Sequence, residues 1–82
     1  MSLKKQNIHW ELKIALMLKR VQLKEFAQSL VRPNGIKGVS HTAVIRVAQN
    51  HENTPWLRDA IKDLINDSRK KYPDVWKEVM QS

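Results

Sequence analysis

A chain of 82 residues is long enough for one domain, which at this size buries roughly 60% of the surface its unfolded form exposes. It has no cysteine, so disulfide staples and thiolate metal sites are excluded. No apolar run approaches the ~20 residues of a membrane-spanning helix, and no signal-peptide core follows Met1 to Gln6. Fifteen Lys and Arg against eight Asp and Glu give a net charge of +7. Nine of those bases, with only Glu11 and Glu25 to oppose them, lie in residues 1–50, while residues 51–82 hold six of each sign. The whole excess therefore sits in the first fifty residues. Such asymmetry points to a polyanionic partner, nucleic acid before a membrane surface; a solvated basic surface kept for solubility is the plain alternative.

Hydrophobic spacing predicts five helices and no strand. The first covers about 8–20: Ile14, Met17, Leu18 and Val21 recur at i, i+3, i+4, i+7, the spacing of one helical face. Lys19 and Arg20 close it, where cations suit the helix dipole. The second, about 23–30, repeats the spacing with Leu23, Phe26, Ala27 and Leu30 after the weak start Gln22. Val31 to Val39 reads as a loop, because Pro33 fixes its own φ and Asn34-Gly35 tolerates positive φ. Ser40 is an N-cap for a third helix, which turns Val44, Val47 and Ala48 inward and ends near 49–51. Thr54-Pro55 opens the fourth with a cap and a proline at the first helical position. Leu57, Ala60, Ile61, Leu64 and Ile65 give it two clean turns, and the pattern frays through Asn66-Asp67-Ser68. Arg58, Asp59, Lys62 and Asp63 read as ordinary surface pairing on that helix. Pro73-Asp74 starts a short fifth helix carrying Val75, Trp76, Val79 and Met80. Trp10, Trp56 and Trp76 are expected to knit three helices into one core. Without a linker or repeat, residues 1–82 form one all-α domain.

The second and third helices carry the functional pattern. A helix-turn-helix needs a small residue where its helices cross, a glycine in the turn and apolar anchors in the second helix. Phe26-Ala27 and Leu30, then Gly38-Val39-Ser40, then Val44 and Val47 supply them. The run Gly38-Val39-Ser40-His41-Thr42-Ala43-Val44-Ile45-Arg46 resembles the Gly-Val-Ser-x-x-x-Val-x-Arg stretch of many bacterial and phage repressors. The chain over about 8–80 is similar to the lambda-repressor-like DNA-binding domains of Cro and repressor type, with the small Ner-like phage regulators as nearer kin. Ala27 and Gly38 stand eleven positions apart where the family has four, so seven residues are inserted between the helices. Leu23 stands where the family often has a phosphate-contacting glutamine.

The resemblance implies a compact five-helix helix-turn-helix domain with a lengthened loop between helices two and three, its motif at about 22–50. It implies a small bacterial or phage transcriptional regulator, found in the bacterial cytoplasm or nucleoid, that reads the major groove of double-stranded DNA with the helix starting at Ser40. The residues agree. Burying Val44, Val47 and Ala48 leaves His41, Thr42, Ile45, Arg46 and Gln49 outward as candidate base contacts. Arg46 can bond guanine bidentately, Gln49 adenine, and Ile45 can meet a thymine methyl. Gln22, Lys24, Arg32, Lys37 and Ser40 are the candidate phosphate contacts, and Lys4 and Lys5 a loose basic arm.

Other chemistry has little to stand on. His9, His41 and His51 lack metal-site spacing, no serine has a recognisable neighbouring base, and no glycine-rich phosphate loop exists. No enzyme activity, cofactor, small-molecule substrate or membrane contact is expected. Two rival readings use the same fold: an antitoxin-like or assembly module that docks a protein through helix five, and an RNA-binding protein. Helix five, through Val75, Trp76, Val79 and Met80, is also the expected contact of a weak homodimer, because one recognition helix reads only a few base pairs.

Overall fold

Five helices form over residues 7–81, and local chemistry sets most of their ends. The computed structural model describes residues 7–81, with side chains through Val79; Lys4, Lys5 and the Met80 side chain lie outside the described residues. The helices are α1 (His9–Lys19), α2 (Leu23–Ser29), α3 (His41–Ala48), α4 (Pro55–Lys71) and α5 (Pro73–Gln81). Among the described residues there is no strand, only one antiparallel bridge between Val31 and Lys37. None of these helices is long and apolar enough to cross a membrane.

α1 stops when Arg20 turns left-handed (φ 56). Its N–H then donates to the Met17 carbonyl and that of Val21 to the Leu16 carbonyl, which satisfies two orphan acceptors of the last turn. α2 is opened by a capping box: the Gln22 side chain takes the Glu25 N–H, and Glu25 reaches back to the Gln22 N–H. Gln22 is thus a better start than its residue type suggests. α4 has its proline in the first turn. The bond before Pro73 is the reason it ends, since Tyr72 is driven out of helical geometry (φ −129, ψ 57).

The core is a single cluster to which every helix contributes. Ile8, Leu12, Ala15 and Leu16 come from the α1 region, Phe26 and Ala27 from α2, and Val44, Val47 and Ala48 from α3. Leu57, Ile61 and Ile65 come from α4 and Trp76 from α5. α4 is the spine, packing against α1, α3 and α5.

Four expectations are corrected here. The inner face of α1 is the line Ile8, Leu12, Ala15, Leu16, while Met17 is 70% exposed and Ile14, Leu18 and Val21 are only flanking. Both lines have helical spacing, and the true one is disguised by Glu11, which lies buried on it. Arg69 of α4, 3.9 Å from the Glu11 carboxylate, supplies the opposing charge. The tryptophans do not act alike: Trp76 is buried and Trp56 packs on the core edge, but Trp10 is 42% exposed. α4 does not fray at 66–68. Asp67 is held there by Lys19 of α1, and the buried Ser68 hydroxyl accepts a hydrogen bond from the Trp76 indole at 2.9 Å. Arg69 stacks over the same indole, 5.1 Å from its centroid. Finally, Arg58 reaches across to α3, donating to the Asn50 side chain at 2.6 Å and the Val47 carbonyl at 3.4 Å, a contact that same-helix charge pairing does not foresee.

Candidate nucleic-acid interface

α3 is fixed at both ends and along one side. At its start the Ser40 hydroxyl accepts the Thr42 N–H at 3.1 Å, the bond an N-cap serine makes to a free first-turn amide. Just before it, the Val39 N–H donates to the Ala27 carbonyl at 2.9 Å, so the backbone ties α3 to α2. Val44, Val47 and Ala48 are buried to 1% exposure or less. At its end Asn50 turns left-handed (φ 66). Its N–H donates to the Val47 carbonyl and that of His51 to the Arg46 carbonyl, the paired bonds of a Schellman closure.

With that side spent on the core, the other faces out. His41, Thr42 and Arg46 are exposed; Ile45 and Gln49 are half-buried. No Asp or Glu occurs from Phe26 to His51, so the outward side of α3 and everything just before it is neutral or basic.

Two of the candidate base contacts have protein partners. The reversal at Asn50 turns the chain back over α3 and sets Glu52 beside Arg46, Oε1 2.9 Å from Nε. Engaging Nε leaves the two terminal nitrogens of the guanidinium, which are the pair that spans guanine O6 and N7 end-on. Gln49 Nε2 lies 3.2 Å from His9 Nδ1 at the start of α1. An amide nitrogen only donates, so this contact is a hydrogen bond in the tautomer whose Nδ1 carries no proton. Burial, and then the nearby Lys13, hold the His9 pKa below its ordinary value, in keeping with that role. The Ile8 N–H donates to the Ala48 carbonyl at 3.0 Å, a second tie between the two helices. A cleft of about 790 Å³, lined by Asn7, residues 49–53 and Arg58, opens beside this end of α3.

Glu52 was not foreseen. Its distance from Arg46 is not a helical repeat, and it reaches the guanidinium only through the turn at Asn50; an asparagine after the last apolar anchor is the one sequence signal for that turn.

The candidate phosphate contacts divide. Ser40 and Gln22 have side chains already engaged in capping α3 and α2. Lys24 is exposed in the first turn of α2. Arg32 and Lys37 are exposed on a hairpin between α2 and α3. There the Gly35 N–H closes a turn onto the Arg32 carbonyl at 2.8 Å with Pro33 and Asn34 at its centre, and Asn34 Oδ1 accepts the Ile36 N–H at 3.0 Å. Gly35 follows with φ 90, a conformation that suits glycine. The Arg32 N–H then donates to the Ile36 carbonyl at 2.8 Å, and Arg32 Nε to the Gly38 carbonyl at 3.1 Å. In α5, Trp76 is turned into the core and Val75 outward, 39% exposed.

No protein-family model matches the sequence, and neither a curated protein nor a solved structure is significantly similar to it.

Proposed function

We propose that the chain is a lambda-repressor-like helix-turn-helix protein that binds duplex DNA, with α3 in the major groove, and acts as a small transcriptional regulator. The observation that carries this reading is the division of α3: a fully buried Val44, Val47, Ala48 side and an outward side of His41, Thr42, Ile45, Arg46 and Gln49 inside a segment without a single acid. A helix offering hydrogen-bonding and apolar groups with no negative charge suits base edges flanked by phosphates. Lys24, Arg32 and Lys37 supply the surrounding phosphate contacts, and Glu52 steers Arg46.

Fluorescence anisotropy against random duplex, single-stranded DNA and RNA at two salt concentrations tests it. Duplex binding that falls steeply with salt, at about −0.9 in log affinity per phosphate contact, is the expected result. Absence of duplex binding at low salt, or binding indifferent to salt, overturns it; stronger binding of RNA or single strands redirects it. A protein partner at α5 is the reading that outward Val75 favours, and it is the one left if no nucleic acid binds.

A further inference from the structure

The seven inserted residues, 31–37, leave the helical frame and return to it at one point. The Leu30 carbonyl accepts the Gly38 N–H with O and N only 2.5 Å apart. This bond closes the base of the hairpin, next to the Val31–Lys37 bridge. Taking out 31–37 would bring Gly38 to the fourth position after Ala27. α3 is tied to α2 across this hairpin, the Val39 N–H donating to the Ala27 carbonyl.

The ribbon has an unusual surface. Val31 is paired with Lys37 and Arg32 with Ile36. Directly paired residues share a face, and successive ones alternate, so each face carries one cation and one branched apolar side chain. Val31 is 59% and Ile36 56% exposed, more than folding alone asks of such residues. The deoxyribose-phosphate backbone offers the matching chemistry, an apolar sugar edge beside a charged phosphate, and no acid occurs in the chain from Phe26 to His51.

We propose that hairpin 31–37 is a second, sequence-independent contact element that grips the backbone of the duplex beside the groove α3 enters. Arg32 and Lys37 meet phosphates, and Ile36 and Val31 pack on sugar. The proposal rests on the DNA-binding reading above.

The test compares the full chain with a deletion of 31–37 by anisotropy, on random and on preferred 20-bp duplexes, across a salt series. Removing two phosphate contacts is expected to flatten the log–log salt slope by about 1.8 and to weaken all duplexes in equal proportion, leaving the preference ratio intact. The double substitution Arg32→Gln with Lys37→Gln keeps the Pro33-Asn34-Gly35 turn and should flatten the slope equally. It decides the matter if the deletion does not fold. An unchanged slope in that variant overturns the hairpin proposal while the DNA reading stands. A full chain that binds no duplex at low salt overturns both.

Discussion

α3 and α4 bury themselves by the same device and differ in what they show to the outside. Each presents an apolar stripe to the shared core: Val44, Val47 and Ala48 in one, Leu57, Ile61 and Ile65 in the other. On α4 the exposed residues mix both signs, with Asp59 and Asp63 beside Lys62. On α3 they are neutral or basic throughout. α4 packs against α1, α3 and α5, and α3 against α1, α2 and α4; α3 is the shorter, its start capped by the Ser40 side chain and its end closed by the left-handed backbone at Asn50. Burial explains why both helices exist; the composition of the outward side separates a scaffold from a candidate surface.

The strongest way to break the comparison is through α4. Ile61 is fully buried, and Ile61→Ala should cost about 2–5 kcal/mol through lost transfer energy and an unfilled cavity, read by urea unfolding followed by circular dichroism. Lys62→Ala, one position along, should stay within about 0.5 kcal/mol. Equal effects from the two would deny α4 its role as spine.

Next in size is Arg46→Ala. A bidentate contact carries about 1–3 kcal/mol of discrimination at one base pair, while the exposed ion pair with Glu52 contributes about 0–1 kcal/mol to stability. Sequence preference should therefore collapse at one position with the unfolding curve little moved, whereas Lys37→Ala should weaken every duplex alike. Anisotropy on a panel of single-base variants separates the two, and unchanged preference after Arg46→Ala contradicts the base-reading role.

Ser40→Ala comes third. Losing the cap bond to Thr42 should cost about 1 kcal/mol, visible in the same unfolding assay, and more than the loss from Thr42→Ala.

The smallest effects are those of pH. His9 has its pKa lowered from 6.5 by burial and then by Lys13. Asp67 has its pKa lowered from 3.8, first by the hydrogen bond from Lys19 and then by that residue's charge. In both cases the unfolded chain binds the proton more readily than the folded one. The stabilisation is complete above the unfolded value and is lost as pH falls through the folded one. Stability should decline in two windows, below about 6.5 for His9 and below about 3.8 for Asp67. Thermal melts at pH 7, 5.5 and 3.5 should show His9→Gln flattening the upper step and Lys19→Met the lower.

Much of this was legible because it is local. The Ser40 cap, the Pro55 start, the turn at Pro33-Asn34-Gly35 and the α3 stripe all follow from residues a few positions apart. The phase of α1 was not, because Glu11 on its inner line looks like a surface residue until Arg69 arrives from α4. Nor was the persistence of α4 through Asn66-Asp67-Ser68: its supports, Lys19 and Trp76, lie on other helices. Of the candidate site, the outward set of α3 was readable from spacing. The Gln49 contact with His9 and the Arg46 contact with Glu52 were not, since each needs the chain to return to itself. That Val31 to Val39 leave the helical pattern was plain from sequence; that the segment closes as a hairpin between Leu30 and Gly38 was not.

The two sides of α3 have one further consequence. Val44, Val47 and Ala48 face only the core, while His41, Thr42 and Arg46 are exposed, Arg46 beside Glu52. A lineage could therefore exchange the second group freely, acquiring a different target at no expense to thermal resistance. Half-buried Ala43 and Ile45 have a foot on each side. Changes of outward chemistry and changes of stability are separable along this helix except at those two positions, which a library randomised on the outward side should hold constant first.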